Sequence, residues 1–333
     1  MPTGQLKKGL VLTKHFAERL LAAIEEKQTP MVVGLDPIYA QLPKQIREIA
    51  AGSKSGLPEN AAALNEFCQV VIDIAAQHVP AVKLQMAYFE LCGPAGLEAY
   101  HRVADYARQQ GLVVIGDIKR ADIGSTSEAL ASAYLDEVII KDDQGEEKAV
   151  SVDAVTINPY FGSDGVRPFV DRALANGQGI FVVIRSSNPS AKEIQDIADA
   201  EGRRVFERLA MLCNDWANWP GCVGESGYSL VGAVVGATYP KEAELLRQMM
   251  PNSLFLVPGY GVQGATADDC AAAFHDDGWG ALVTSSRGII YAWTRPGYEQ
   301  YGEEAWEEAV EAAVLAMKVD IAQALGRKVA ASS

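Results

Sequence analysis

The chain has no uninterrupted apolar segment long enough to cross a membrane, and residues 1–29 lack the apolar core of a signal peptide. Those first residues instead carry an amphipathic pattern of Phe16, Leu20, Leu21 and Ile24 between charged residues, which predicts a helical extension over residues 1–30. We therefore expect a cytoplasmic protein with no membrane partner.

Basic residues are scarce. The sequence contains 29 Lys and Arg against 43 Asp and Glu, which gives a formal net charge of −14. Because a nucleic-acid backbone is bound through clustered basic side chains, this balance argues against a nucleic-acid partner. A small anionic substrate is still compatible with the composition, provided that one pocket supplies local positive charge.

Histidine and cysteine are few and scattered. No spacing among the four histidines is typical of zinc ligands, and none of them follows an apolar run at a predicted strand end. The five cysteines are odd in number and form no close pair, which predicts reduced and mostly buried thiols. The sequence thus predicts no metal site. The positions are His15, His78, His101, His275, Cys68, Cys92, Cys213, Cys222 and Cys270.

Apolar runs are present in quantity and they are short. Eight β-type runs alternate with Ala-, Leu- and Glu-rich segments of helical spacing, such as residues 61–78, 96–110 and 242–250. Alternating strands and helices predict a parallel sheet, and eight such units favour a (β/α)₈ barrel over an open sheet. We predict an α/β protein with one TIM-barrel domain over residues 1–333. The predicted strands are 31–35, 81–84, 112–118, 154–157, 179–184, 230–235, 254–257 and 281–284.

The chain is somewhat long for a bare barrel, so additions are expected. Residues 138–152 hold Asp142-Asp143-Gln144-Gly145 between two β-prone runs, which predicts a hairpin inserted after the third strand and its helix. Residues 186–202 follow the fifth strand with Ser, Asn and Pro, which is typical of a loop over the barrel mouth. Residues 328–333 are predicted to be a flexible tail.

The third strand continues into the segment Gly116-Asp117-Ile118-Lys119-Arg120-Ala121-Asp122-Ile123. Residues two apart on a strand share a face, so Asp117 and Lys119 are expected to point the same way, with Asp122 just beyond the strand end. A lysine held between carboxylates stays protonated and can donate its proton, and a carboxylate raises the energy of a neighbouring substrate anion. Taken by itself, the segment is better explained as a solvated ion-pair cluster. It indicates proton delivery only in combination with the other strand ends.

Lys83 lies inside an apolar run, where a charge is costly to bury unless it is paired. One interpretation is a lysine at a strand edge whose ammonium reaches solvent. Asp36 and Asp117 are expected on the neighbouring strands, however, so a network of Asp36, Lys83, Asp117, Lys119 and Asp122 explains these residues better.

Two glycine-rich strand ends predict an anion site. Pro258-Gly259-Tyr260-Gly261-Val262-Gln263-Gly264 follows the seventh strand, and Ser285-Ser286-Arg287-Gly288-Ile289 follows the eighth. Glycines let backbone N–H groups approach an anion, and Arg287 can add a bidentate charged partner. Each turn alone could be a tight connection without a ligand, but both stand where barrels of this type bind phosphate.

Taken in order, these motifs resemble the orotidine 5′-phosphate decarboxylase family, and in particular its longer bacterial branch (type 2). The resemblance extends from residue 31 to residue 291 and also includes Gly34-Leu35-Asp36-Pro37 and Ser187-Asn188-Pro189. It implies a (β/α)₈ homodimer that needs no cofactor. The implied reaction converts orotidine 5′-phosphate, a nucleotide, to UMP and CO₂ in pyrimidine biosynthesis.

The resemblance also implies catalytic residues. Lys119 would protonate C6 of the pyrimidine and Asp117 would crowd the substrate carboxylate. Lys83 and Asp36 would hold the ribose hydroxyls within the charged network, while Asp122 would enter the active site of the neighbouring subunit.

The substrate-binding residues are implied in the same way. Ile123 and Thr126 would accompany Asp122 across the dimer interface, so that the two active sites are shared. Ser187 would meet the amide edge of the pyrimidine, and Gln263 and Arg287 would grip the phosphate. The full implied binding set is Asp36, Ile123, Thr126, Ser187, Gln263, Arg287 and Gly288.

Two alternatives stay open. A metal-dependent sugar-phosphate decarboxylase or aldolase of the same barrel superfamily shares the Asp-x-Lys-x-x-Asp spacing. Those enzymes place a metal-binding carboxylate on the second strand, where this chain has Lys83, and a magnesium site without it would be poor. A catalytically silent ligand-binding barrel is the second alternative, and it would have no use for a costly network of buried charges.

Overall fold

The computed structural model describes residues 14–53, 55–141 and 147–332, and eight of its strands close into a parallel barrel. Each barrel strand pairs with the next along the chain and the last pairs with the first, which confirms the predicted (β/α)₈ fold. Strands β4 and β5 stand outside the barrel. The strands are β1 Met31–Leu35, β2 Ala81–Gln85, β3 Val113–Arg120, β4 Val138–Lys141, β5 Glu147–Val150, β6 Ala154–Ile157, β7 Gly179–Arg185, β8 Ser229–Val235, β9 Ser253–Pro258 and β10 Ala281–Ser285.

The helices surround this barrel, and three short 3₁₀ turns lie at 39–41, 189–191 and 292–294. None of the helices in the described ranges is long and apolar enough to span a membrane. The helices are α1 Phe16–Lys27, α2 Lys44–Ala51, α3 Glu59–His78, α4 Met86–Glu90, α5 Gly93–Gln109, α6 Gly124–Leu135, α7 Ser163–Asn176, α8 Lys192–Gln195, α9 Val205–Ala217, α10 Pro240–Met249, α11 Ala267–Ala271, α12 Arg287–Ile290 and α13 Trp306–Ser332.

The barrel strands are nearly continuous apolar runs because both of their faces are covered, one by the barrel interior and the other by helices. Every residue of β1 and of β8 is buried. Helix α5 begins at Gly93, three residues before the predicted start at 96, because Pro94 fits the first helical turn, where no backbone donor is needed.

Helix α1 covers the amino-terminal end of the barrel, opposite the predicted site. The ring of Phe16 packs edge-on against Phe181, with centroids 5.9 Å apart, and a side chain at Gly179 would collide with the Phe16 ring. Nη1 of Arg19 lies 2.5 Å from Oδ1 of Asp153, just before β6. The predicted helical extension is therefore present from Phe16 onward, whereas residues 1–13 lie outside the described ranges.

Strands β4 and β5 pair in antiparallel fashion between the third and fourth barrel strands, where the sequence predicts a hairpin. Its predicted turn, residues 142–145, lies outside the described ranges. Helix α13 packs against α3 and α11, and the ring of buried Trp306 packs at a tilt against that of Phe67, with centroids 5.3 Å apart. This helix continues to Ser332, so most of the predicted tail at 328–333 is helical, and Ser333 is not described.

Candidate active site

A cavity of about 300 Å³ opens at the carboxyl ends of the barrel strands. Of the eleven predicted site residues, those that line it come from six different strand ends: Asp36, Lys83, Asp117, Lys119, Ser187, Gln263 and Arg287. The barrel thus brings together residues that are up to 251 positions apart, from Asp36 to Arg287.

Asp117, Lys83 and Lys119 form a charged wall of this cavity, and the Asp117 carboxylate lies at its centre. The ammonium of Lys83 lies 2.7 Å from its Oδ2 atom and the ammonium of Lys119 lies 2.5 Å from its Oδ1 atom. The amide of Gln85 donates to Oδ2 at 2.9 Å, and the hydroxyl of Thr156 donates to Oδ1 at 2.8 Å. Each carboxylate oxygen therefore accepts from two donors, which satisfies a side chain that is only 4% exposed.

The ionisation states of Asp117 and Lys83 follow from the opposite charges beside them. Burial would raise the pKa of Asp117, but Lys83 and Lys119 outweigh it and hold that pKa well below its ordinary range. Burial would lower the pKa of Lys83, but Asp117 and Asp36 together raise it above its ordinary value. Oδ1 of Asp36 lies 3.9 Å from the Lys83 ammonium. Asp117 and Lys83 are consequently both ionised at neutral pH.

Lys119 reaches Asp117 from an irregular strand position. Its backbone φ is 44°, in the left-handed region that non-glycine residues rarely adopt, and the register between β3 and β6 shifts between Gly116 and Arg120. The Lys119 N–H donates to the Thr156 hydroxyl at 3.0 Å, which holds this conformation. The Lys119 side chain is 48% exposed and lines the cavity, so its ammonium is both anchored and accessible.

The two glycine-rich segments follow the neighbouring strands β9 and β10, and Gln263 and Arg287, one from each segment, line the cavity side by side. Gly259 has a φ of 121°, a conformation open to glycine alone at little cost. Gly288 does not line the cavity. A Cβ there would lie 3.2 Å from Oγ of Ser285 and at an ordinary contact distance of 3.4 Å from Cγ2 of Val262, so the glycine keeps space beside Ser285, which lines the cavity.

Asp122, Ile123 and Thr126 do not line the cavity of their own chain. Oδ1 of Asp122 accepts the Ile123 N–H at 2.8 Å, Ile123 is 52% exposed, and Thr126 is exposed near the start of α6. The predicted network of five charged residues is therefore formed within this chain by Asp36, Lys83, Asp117 and Lys119, without Asp122.

Residues 29–296 match the family model described as Orotidine 5′-phosphate decarboxylase / HUMPS family. The chain belongs to this family. An orotidine 5′-phosphate decarboxylase of Rhodopirellula baltica is 41% identical over 303 residues, which cover 91% of this chain and 97% of that protein. One from Caldicellulosiruptor bescii is 36% identical over 307 residues, which cover 90% of this chain and 99% of that protein.

Solved structures agree with the family assignment. The structure of Leishmania donovani OMP decarboxylase superposes with a TM-score of 0.69 at 25% identity, and the match covers 93% of this chain and 99% of that one. The strand order of this chain and its superposition on that structure therefore indicate the same barrel fold.

Two residues that donate hydrogen bonds to Asp117 were not predicted from the sequence to be site residues. Thr156 stands in the otherwise apolar run Ala-Val-Thr-Ile of β6, and Gln85 is the last residue of β2, level with Asp117 in the strand register. A hydroxyl within an apolar strand next to the charged strand was the available signal for Thr156. For Gln85 the signal was a polar side chain at the end of an apolar strand, two residues after Lys83, although its contact with Asp117 depends on the register of β2 against β3.

Proposed function

We propose that this family member decarboxylates orotidine 5′-phosphate to UMP and CO₂ without a cofactor. The observation that carries the proposal is the Asp117 carboxylate held between the Lys83 and Lys119 ammonium groups in the wall of a cavity that also has an anion cradle. The names of the curated relatives point to the same reaction.

In the proposed reaction, Gln263 and Arg287 bind the phosphate, away from the reacting carbon. That binding energy holds the substrate carboxylate against ionised Asp117, which raises the energy of the bound substrate. The C6–carboxyl bond breaks, CO₂ leaves, and the electron pair stays on C6. The Lys119 ammonium stabilises this carbanion and then transfers one proton to C6, and solvent later returns a proton to Nζ.

The remaining lining residues would orient the nucleotide. Lys83 and Asp36 are placed to hold the ribose hydroxyls beside the charged wall, and Ser187 is assigned the amide edge of the pyrimidine. Gly288 would support the phosphate cradle by leaving space beside Ser285 rather than by lining the cavity itself.

We also propose that the enzyme is a cytoplasmic homodimer with shared active sites. Asp122, Ile123 and Thr126 would then complete the site of the neighbouring subunit. This proposal is supported by the exposure of Ile123 and Thr126 and by the position of all three residues outside their own cavity. The five unpaired cysteines, four of them buried, suit a reducing compartment.

The metal-dependent alternative is disfavoured by one residue. Its metal-binding carboxylate would stand on the second strand, where Lys83 places an ammonium 2.7 Å from Asp117. A cation at that point would be repelled rather than bound. A silent barrel is disfavoured because two buried charges are kept at the cavity wall at a cost in desolvation.

One experiment separates the three functions. UMP formation from orotidine 5′-phosphate is measured with and without EDTA. The proposal expects the same rate in both, a metal-dependent enzyme would lose activity with EDTA, and a silent barrel would form no UMP in either.

A further inference from the structure

A fully buried arginine stands at the end of β7, directly before the loop that carries Ser187. Arg185 has no exposed surface, and its Nη1 atom lies 2.7 Å from Oδ1 of Asp196. Its guanidinium carbon lies 3.9 Å from the ring centroid of Tyr239 and 4.9 Å from that of Phe206. Such a group is costly to bury, and it does not line the cavity.

Arg185 is the first member of a chain of hydrogen bonds that ends in the cavity loop. Its Nη1 atom donates to Oε1 of Gln195 at 3.4 Å. Nε2 of Gln195 donates to Oγ of Ser186 at 2.8 Å, and that hydroxyl donates to Oδ1 of Asn188 at 2.8 Å. Ser187 lies between the two loop residues that this chain of hydrogen bonds fixes.

The guanidinium also determines which way the Gln195 amide faces. The Ser186 backbone N–H donates to Oε1 of Gln195 at 3.1 Å, and arginine can only donate. With two donors directed at Oε1, a flipped amide would place its NH₂ group against both of them. Nε2 is therefore kept toward the Ser186 hydroxyl, and each bond in the series polarises the next.

The other side of the loop is held by the segment after β8. The Thr238 hydroxyl donates to the Ser187 carbonyl at 3.0 Å, and the Tyr239 hydroxyl donates to the Asn188 carbonyl at 3.3 Å. A Cβ at Gly236 would lie 2.8 Å from the backbone of Ser187, so the two segments are in close contact. Arg185 contacts a residue on each side of the loop, since its guanidinium stacks on the Tyr239 ring and donates a hydrogen bond to Gln195.

We propose that Arg185 and Gln195 are positioning residues that fix Ser187 for recognition of the pyrimidine. Residues 189–204, most of which belong to the segment 186–202 expected from the sequence to lie over the barrel mouth, would then act through Gln195 as a brace for the binding loop. This inference rests on the proposed function, because it takes the amide edge of a pyrimidine as the partner of Ser187.

Gln195 variants test the proposal better than Arg185 variants do, because removal of Arg185 leaves Asp196 without its cation and Glu242 with only Arg204 at 4.0 Å, which would disturb the whole segment. Gln195→Glu keeps the shape and the acceptor for Arg185 but removes the donor to Ser186. Gln195→Ala removes both bonds. Arg203→Ala is the matched control, since Arg203 belongs to the same segment and pairs with exposed Asp199 and Glu201.

The binding of two probes is measured for each variant: UMP, and ribose 5-phosphate, which lacks the pyrimidine. Both Gln195 variants are expected to weaken UMP binding and raise the KM for orotidine 5′-phosphate about tenfold, the loss of one well-placed hydrogen bond. Binding of ribose 5-phosphate should change less than about twofold, and Arg203→Ala should match wild type. Unchanged UMP binding in Gln195→Ala, or equal losses for both probes, would overturn the proposal.

Hydrogen exchange at the amides of residues 186–188 separates this proposal from the proposed function. If wild type forms UMP, faster exchange in Gln195→Ala supports the brace and unchanged exchange refutes it. If wild type forms no UMP, the proposed function and the pyrimidine assignment both fail, and the exchange rates still show whether Gln195 holds the loop.

Discussion

The ammonium of Lys83 lies 2.7 Å from a carboxylate oxygen of Asp117, and both side chains are buried. A buried ion pair adds little net stability relative to apolar residues, yet loss of one partner leaves the other as an unpaired buried charge. The pair is therefore expected to be energetically coupled, and this coupling can be measured separately from catalysis.

Asp117→Asn should destabilise the protein by about 3–5 kcal/mol, because it leaves Lys83 buried beside a neutral amide. The double variant Asp117→Asn/Lys83→Met should recover part of that loss, since the buried ammonium is removed as well and only the partly exposed Asp36 and Lys119 lose their partners. Denaturant unfolding of wild type, both single variants and the double variant gives the coupling energy. Additive losses in the double variant would contradict the coupling.

The pair should also make stability depend on pH. The pKa of Asp117 is lowered in the folded state, so its contribution is present above about pH 4 and is lost as pH falls toward the folded pKa. The pKa of Lys83 is raised, so its contribution is present below about pH 10.5 and is lost as pH rises through the folded pKa. Unfolding free energies of wild type and of the double variant should thus converge below about pH 4. A constant difference down to pH 2 would refute this.

Lys119→Ala should reduce UMP formation by at least about 10²–10⁴-fold, because it removes the proposed proton donor. The fold should persist, since the Lys119 side chain is half exposed and Asp117 keeps Lys83 as its cation. Circular dichroism and thermal unfolding check the fold. Lys44→Ala, which removes only an exposed ion pair with Glu48, is the control. Substantial activity in folded Lys119→Ala would exclude the mechanism.

Arg287→Ala should raise the KM for orotidine 5′-phosphate and also lower kcat, because binding energy from the phosphate is used at the reacting carbon. The same variant should process orotidine, which has no phosphate, at the rate of wild type. Steady-state kinetics with both substrates tests this. Equal losses for the two substrates would mean that Arg287 supports the site as a whole rather than the phosphate.

Lys119→Ala and Asp122→Ala should each be inactive alone and regain activity when mixed. If Asp122 enters the partner's site, each heterodimer has one site in which both residues are intact. Random exchange of equal amounts makes half of the dimers mixed, so about a quarter of all sites should be native. UMP formation is measured after exchange, with heterodimers verified by mass spectrometry. No recovery above either parent would show that each subunit completes its own site.

The sequence was sufficient to predict the barrel and to assign seven of the residues that line its cavity. Short apolar runs with helical segments between them define a parallel sheet, and parallel strands place all their carboxyl ends on one side. Polar residues at those ends, such as Asp36, Lys83 and Arg287, could therefore be assigned to one site without coordinates, and they do line one cavity.

Contacts that depend on how neighbouring strands are aligned could not be predicted from the sequence. The left-handed backbone of Lys119 and the shifted pairing of β3 with β6 follow from closure of the barrel, which no local pattern specifies. That register is what brings Thr156 and Gln85 onto Asp117 and leaves Asp122 outside the cavity. Local composition determines which residues end a strand, whereas the tertiary packing of neighbouring strands determines which of them meet.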